Sequence, residues 1–342
     1  MPPTAARPFS LPSPADVGRT LDTVLDRSVV GGYTVLGYRL RRRMWSSADL
    51  PRLDGRTVVI TGGNAGIGLA AAEGIARLGA TVWIAARDPD RGERARAAVA
   101  ERSGNPDVRL GICDLSRLES VRRFAAELAA ATPRVDVLVH NAGVLPSRRE
   151  TTPDGIELAL ATNVVGPFLL TGLLLPLLEG AAPARVINVS SGGMYARRIR
   201  VEDLQSEGGG FDGAAVYART KRAEVILTEM WAERLAGRGV VVHSMHPGWV
   251  ETAGIQASLP RFHRVMHPLL RTPEEGADTI VWLAAADEPG QSTGRFWHDR
   301  RERPTHLLPW THETPEERER LWAQCLSLSG LELPDPPQTT DR

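Results

Sequence analysis

The sequence predicts an α/β fold: one doubly wound, mostly parallel seven-stranded sheet with helices on both faces and an extension at each end. Three observations predict it. Between Leu53 and Asp299, short apolar, β-branched runs alternate with helical stretches, the pattern of parallel strands joined by crossover helices. Several runs are almost continuously apolar, as strands covered on both faces must be. A glycine-rich turn links the first run to the first helix, at the edge where open sheets of this kind bind ligands.

The strand candidates in order are Thr57–Thr61 (TVVIT), Thr81–Ala86 (TVWIAA), Val108–Cys113 (VRLGIC), Val135–His140 (VDVLVH), Arg185–Ser190 (RVINVS), Val240–His246 (VVVHSMH) and Gly294–His298 (GRFWH). The first leads into an alanine-rich helix (LAAAEGIARLGA). After the second, Asp88-Pro89 reads as a turn whose aspartate caps the next helix. Leu158 to Leu178 is 21 residues without a charge, long enough to span a membrane. It holds Asn163, Pro167 and Pro176, however, and lies between two strands that must be parallel neighbours. A crossover helix is therefore expected, and no transmembrane segment.

Residues 1–52 and 300–342 remain as extensions of a 53–299 core, each short for a domain of its own. The first opens on a proline-rich tail without the apolar stretch of a secretion signal. From Arg19 to Trp45 it turns patchily apolar and ends in Arg39, Arg41, Arg42 and Arg43. Gly31, Gly32 and Gly37 weaken any helix here, so an arm packed on its own domain or on a partner subunit is expected. The arginines beside Tyr33, Tyr38 and Trp45 also allow a peripheral membrane contact. The C-terminal extension holds a helix from Pro315 to about Leu328, with Thr314 as N-cap and Glu316 and Glu317 in its first turn.

Composition excludes several classes. Lys and Arg total 41 and Asp and Glu 41, so the formal net charge is zero, which argues against a nucleic-acid partner held by bulk charge. Two cysteines, Cys113 and Cys325, cannot build a disulfide framework or a multi-cysteine zinc site, and both are expected as free thiols in a cytoplasmic protein. His140 lacks a second suitably spaced ligand, and no metal is expected.

The first chemical signal is Thr61-Gly62-Gly63-Asn64-Ala65-Gly66-Ile67-Gly68. Glycines at a strand-to-helix turn let the backbone approach a ligand closely, and the helix N-terminus offers free N–H groups to a pyrophosphate. The spacing Gly-x-x-x-Gly-x-Gly departs from the commoner dinucleotide fingerprint. In this it resembles the short-chain dehydrogenase/reductase family, and the resemblance continues in order along the core. Asp114-Leu115 follows the third strand and Asn141-Ala142-Gly143 the fourth, while Asn163 sits in the next helix. Ser190-Ser191 ends the fifth strand, Tyr217 and Lys221 form Tyr-x-x-x-Lys, and Pro247-Gly248 with Thr252 follows the sixth. Flanking segments such as Ser191-Gly-Gly-Met194 and Met245-His-Pro-Gly-Trp249 narrow the resemblance to one subgroup, for which no substrate follows. His140 departs from the family, which has a first Asn there; Asn141 keeps the position associated with the cofactor.

The resemblance implies a Rossmann-type domain that moves a hydride between a nicotinamide cofactor and a carbonyl or secondary alcohol, in a homo-oligomer. It assigns Gly62, Asn64, Gly66, Ile67, Gly68, Asp114, Leu115, Asn141, Pro247, Gly248 and Thr252 to the cofactor, together with Tyr217 and Lys221. It makes Asn163 a relay to the lysine, and the second serine of the pair, Ser191, the group that polarises the substrate oxygen. The residues themselves carry the proton chemistry. A free phenol titrates near ~10, so an acid/base tyrosine needs a cation nearby, and Lys221 lies one helical turn after Tyr217. A Ser/His/Asp hydrolase built on Ser191 and His246 is disfavoured, since no Gly-x-Ser-x-Gly elbow surrounds the serine. A nucleotide-binding sensor or scaffold without turnover is the alternative from another class.

The second strand ends Ala85-Ala86-Arg87-Asp88. An acidic residue at this point selects NAD through the ribose hydroxyls, whereas a basic one accommodates the extra phosphate of NADP. Arg87 supplies a guanidinium suited to phosphate, so NADP is expected over NAD, with carbonyl reduction as the direction. The substrate is beyond reading, because its determinants fall in 192–216 and 251–271, outside the recurrent pattern.

Overall fold

A computed structural model describes residues 22, 23, 25, 26, 28–45, 50–252, 256 and 260–333; the proline-rich tail lies outside them. Strands β1 to β8 run Thr57–Thr61, Thr81–Ala86, Val108–Ile112, Val137–His140, Ala184–Val189, Val240–Met245, Arg295–His298 and Arg301–Arg303. They form one sheet in the order β3-β2-β1-β4-β5-β6-β7-β8. All neighbours pair in parallel except β8, which returns antiparallel along β7.

The expected count of seven strands is thus corrected to eight. Arg-Glu-Arg in β8 has no apolar alternation to betray a strand. What places it is a two-residue turn in which Asp299 and Arg300 both take positive φ, 51° and 58°. Such turns are usually written with glycine. Here side chains hold the conformation: Arg300 grips Asp278 through two bonds of 2.7 Å, and Asp299 is anchored by the arginines described below.

Helices α1 to α10 run Val29–Tyr33, Val35–Arg42, Gly66–Arg77, Pro89–Ser103, Leu118–Ala131, Leu158–Gly180, Gly213–Arg234, Pro260–Met266, Pro273–Ala285 and Pro315–Ser329. The period of two along the strands sends apolar side chains to both faces. Val58 and Ile60 meet Ile75 of α3, Val99 of α4 and Ile280 of α9; Val59 faces the opposite core with Phe124 of α5, Leu169 of α6 and Met230 of α7. The long uncharged run is α6, and 83% of its most apolar window is buried. It is the crossover between β4 and β5.

The described parts of both extensions pack into this body. Thr314 and Glu317 cap α10 reciprocally, and Trp322 of that helix packs edge-on against Trp231 and Phe168 at 4.7 and 4.8 Å. Cys113 and Cys325 are free and buried, and burial pushes both thiols up to about 12. At the other end, the glycines expected to weaken a helix instead let α1 and α2 cross: a Cβ on Gly37 would lie 2.0 Å from the Gly31 carbonyl oxygen.

Among the arginines of the arm, Arg41 is 1% exposed. It donates to Asp22 and to Asp299, each at 2.8 Å. Asp299 in turn receives Arg271 at 2.6 and 2.9 Å, and Asp22 receives Arg303 at 2.8 Å. Tyr33 and Tyr38 are buried as well, which leaves Arg39, Arg42 and Arg43 as the exposed arginines among the described residues of this segment. Trp45 is half-buried, and Leu36, Leu40 and Met44 are exposed among these arginines, so the arm packs on its own domain through Tyr33, Tyr38 and Arg41 and keeps an apolar and basic outer face.

Candidate active site

The sheet order reverses between β1 and β4, so the carboxyl ends of β1, β4, β5 and β6 open onto one crevice. The nucleotide side is built by glycine. Gly62 and Gly66 take φ 67° and 52°, a conformation that side chains resist. A Cβ on Gly68 would lie 2.3 Å from Asn141 Nδ2 and 2.4 Å from the Gly62 carbonyl oxygen; here glycine permits the close packing of α3 on the strand end. Asn141 pins the turn by donating from Nδ2 to the Thr61 and Gly62 carbonyls at 3.0 and 3.3 Å. Ala65 at the N-cap of α3 provides no side-chain cap, so the helix presents its free N–H groups outward. Thr252 stands over this turn, 3.4 Å from where a Cβ on Gly66 would be.

The other nucleotide candidates ring the same edge. Asn64 and Ile67 are half-buried in and just after the turn. Asp114, after β3, accepts from the Ser116 N–H at 3.0 Å and hydroxyl at 2.7 Å, with Leu115 buried beside it. Arg87 is exposed at the end of β2. Asp88 caps α4 by accepting from the Arg91 N–H at 2.9 Å, which turns its carboxylate to the helix. These residues fit a dinucleotide: a cradle without Cβ atoms for the pyrophosphate, flanked by polar groups.

The catalytic candidates converge from three elements. Tyr217 and Lys221 share one face of α7, and Lys221 Nζ lies 5.5 Å from the Tyr217 ring centre. Nζ donates to the Val189 carbonyl at the end of β5 at 2.9 Å and to Glu224 Oε1 at 2.7 Å. Burial alone would pull the Lys221 ammonium down, but the Glu224 carboxylate and Tyr217 carry it above its ordinary value. Asn163 sits in a π-helical turn, Ala161–Val165, inside α6, an irregularity common at functional sites. Its amide is committed to both backbone groups of Val144, at 2.8 and 3.0 Å, and to Thr220 at 2.9 Å. It touches Lys221 only across Gly143, where a Cβ would lie 3.3 Å from Nζ and 3.5 Å from Asn163 Oδ1.

The two serines differ. Ser190 is buried and donates to the Lys221 carbonyl at 2.8 Å. Ser191 is half-buried and its Oγ accepts from the Gly193 N–H at 3.2 Å. His140 is a core residue, its Nε2 2.8 Å from the Thr171 hydroxyl, and burial pulls its ring down to about 3. His246 accepts from the Gly248 N–H at 3.0 Å and stacks on His298 at 3.8 Å between ring centres, which removes it from any hydrolase triad.

Two contributions escaped the sequence. The first is Glu224, whose spacing of three from Lys221 was visible; a carboxylate on a helix is ordinarily a solvated face, and only tertiary burial marks this one. The second is the arm. The Tyr33 carbonyl accepts from the Trp249 N–H at 2.8 Å, and a Cβ on Gly192 would lie 2.8 Å from the Tyr33 ring. Tyr33 thus bridges the loops after β5 and β6. Gly248, at φ 82°, leaves no room for a side chain beside Arg271, which donates to the Pro247 carbonyl at 3.1 Å. In the loop expected to shape substrate binding, His263 meets Glu251 at 2.7 Å; residues 253–255 and 257–259 and the Phe262 side chain lie outside the described residues.

Comparison with known proteins agrees with this geometry. Residues 56–261 match the family model described as short chain dehydrogenase. The chain is 43% identical over 292 residues to dehydrogenase/reductase SDR family member 12 of Bos taurus, across 84% of this chain and 91% of that protein; this is the subgroup to which the flanking segments pointed. It is 35% identical over 298 residues to human retinol dehydrogenase 13, across 84% and 88%. A solved Pseudomonas aeruginosa RhlG/NADP active-site complex matches with a TM-score of 0.59 and 30% identity, across 72% of this chain and 94% of that one. The chain belongs to the short-chain dehydrogenase/reductase family of oxidoreductases.

Proposed function

We propose that the chain is an NADP-preferring oxidoreductase that interconverts a carbonyl group and the corresponding alcohol, with Tyr217 as acid/base. The observation that carries this is Tyr217 and Lys221 on one face of α7, 5.5 Å from ring centre to Nζ, beside the glycine cradle. A bound nicotinamide would supply or accept the hydride. In reduction, the Tyr217 hydroxyl gives its proton to the carbonyl oxygen as negative charge develops there; in oxidation, the phenolate takes that proton back. Lys221 stabilises the phenolate by its charge. The Asn163 amide is already committed to Val144 and Thr220, so the relay implied for this residue does not use its side chain.

Ser191 donates to the same substrate oxygen. Its Oγ accepts from Gly193, leaving the hydroxyl proton free to donate, whereas the Ser190 hydroxyl already donates its hydrogen bond to the Lys221 backbone carbonyl. Ser191→Ala is expected to cost roughly 2 kcal/mol or more in transition-state stabilisation, about 30-fold in turnover, and Ser190→Ala clearly less. The reverse order in steady-state kinetics would move the assignment by one residue.

Cofactor choice rests on Arg87, with support from the name of the RhlG/NADP complex. Arg87→Ala is expected to weaken NADPH binding about tenfold, the loss of one solvated charge-assisted contact, with NADH affinity unchanged. Equal NADPH affinity in the two proteins, or a wild-type preference for NADH, rejects the assignment. The name of the retinol dehydrogenase relative supports long apolar alcohols and aldehydes as first members of a substrate panel. Nucleotide binding without turnover of any member would favour the sensor or scaffold.

A further inference from the structure

Positions 217, 221 and 224 fall on one face of α7, so a carboxylate stands behind the lysine that stands behind the tyrosine. Glu224 is 8% exposed. One oxygen accepts from Lys221 Nζ at 2.7 Å, while the other, Oε2, is buried without a hydrogen-bond partner. A buried carboxylate oxygen left unpaired is costly. With Nζ also donating to the Val189 carbonyl at 2.9 Å, two of the three ammonium protons are turned away from Tyr217.

Resting on the assignment of Tyr217 as acid/base, we infer that Glu224 is a positioning residue acting through Lys221: its negative charge offsets the lysine at Tyr217, and its protonation releases that charge. The groups around the pair leave Glu224 in control. Lys221 is the charged group that acts on Glu224 among the described residues, and Tyr217 is the titratable neighbour of Lys221. The other elements present neutral groups to the pair: the Val189 carbonyl from β5, Gly143 from the loop after β4, and beyond it Asn163 from α6.

The sign follows from the burial. Burial pushes the Glu224 carboxyl up, against the pull of Lys221, to about 7. Below that pH the carboxyl is neutral and the lysine acts on Tyr217 with its full charge, favouring the phenolate. Above it the ion pair is closed and the phenol holds its proton more tightly. Glu224 therefore opposes phenolate formation in the alkaline range, where an alcohol would be oxidised, and favours a protonated Tyr217, the form that reduces a carbonyl.

The test needs neither substrate nor cofactor. Tyrosinate absorbance is titrated in the wild type, Glu224→Gln and Tyr217→Phe, and the Tyr217 signal is the part lost in the phenylalanine variant. With Nζ 5.5 Å from the Tyr217 ring centre and 2.7 Å from Oε1, the carboxylate lies within about 8 Å of the ring centre; removing its charge at an effective dielectric of about 20 moves the Tyr217 midpoint roughly 1.5 pH units toward acid in Glu224→Gln. A purely structural glutamate leaves the midpoint in place, and superimposable titrations overturn the inference. Infrared difference spectra of the wild type give a second readout even where Glu224→Gln fails to fold. A protonated-carboxyl band should grow in as pH falls through neutrality; a carboxylate ionised down to the ordinary acidic range overturns the inference too. Normal turnover by Tyr217→Phe would instead remove the acid/base assignment on which this rests, so the two failures are distinct.

Discussion

Replacing Tyr217 by phenylalanine is expected to lower turnover at least ~100-fold while nucleotide affinity changes little. The substitution deletes one oxygen from a half-buried ring. Lys221 keeps its place, because its bonds run to Val189 and Glu224 rather than to the phenol. The glycine cradle and Asn141, on other strand ends, are untouched. On the proposed mechanism, what disappears is the proton that reaches the substrate oxygen as hydride arrives at its carbon, and a positioned acid is worth about 10²–10⁴-fold. Steady-state turnover together with fluorescence titration of bound nucleotide separates this from lost binding. Near-normal turnover would sink the mechanism; a parallel loss of nucleotide affinity would mean that the hydroxyl serves to bind the nucleotide rather than to move a proton.

A second large effect concerns stability. Asp299→Asn should cost about 3–5 kcal/mol of unfolding free energy. Asparagine preserves size and tolerates the left-handed backbone that Asp299 adopts at φ 51°, so the change is almost purely one of charge. In the wild type the carboxylate, 1% exposed, lies within 2.6 to 2.9 Å of Arg271 and Arg41. Both guanidiniums are buried, and each loses this counter-charge in the variant; Arg41 retains Asp22.

The pH dependence has a definite sign. Burial would push the Asp299 carboxyl up, but the His298 ring and the Arg271 and Arg41 guanidiniums hold it far below the ordinary carboxylate range. A folded value below the unfolded one means that the contribution is complete above the ordinary value of about 4 and fades only in stronger acid. Urea unfolding of both proteins should show a constant gap from about pH 5 to 8 that narrows below about pH 4. A gap under about 1 kcal/mol would show that the network adds no net stability, as buried ion pairs sometimes fail to do.

The legible parts of the chain were those whose signals are local. Seven strands could be read because parallel strands buried on both faces need unbroken β-branched runs, and their ends shifted by no more than two residues, as where Val135 gives way to Val137 at the start of β4. The eighth strand could not, since Arg301–Arg303 owes its pairing to a turn held by side chains from α9 and the arm. The caps at Asp88 and Thr314 were readable because a cap is a contact over three residues.

By itself, the sequence determined the layered sheet, the glycine turn after β1, and the one-turn spacing of Tyr217 and Lys221, all properties of stretches shorter than a helix. Tertiary structure alone decided which charges are buried. Arg41 reads as one of four basic residues at the end of an arm, yet its partner Asp299 lies 258 positions away. Glu224 reads as a surface acid until α7 is laid against β5. A charge can be buried only where an opposite charge or a set of hydrogen-bond partners meets it out of water. That meeting is set by where distant segments pack, which no local pattern records.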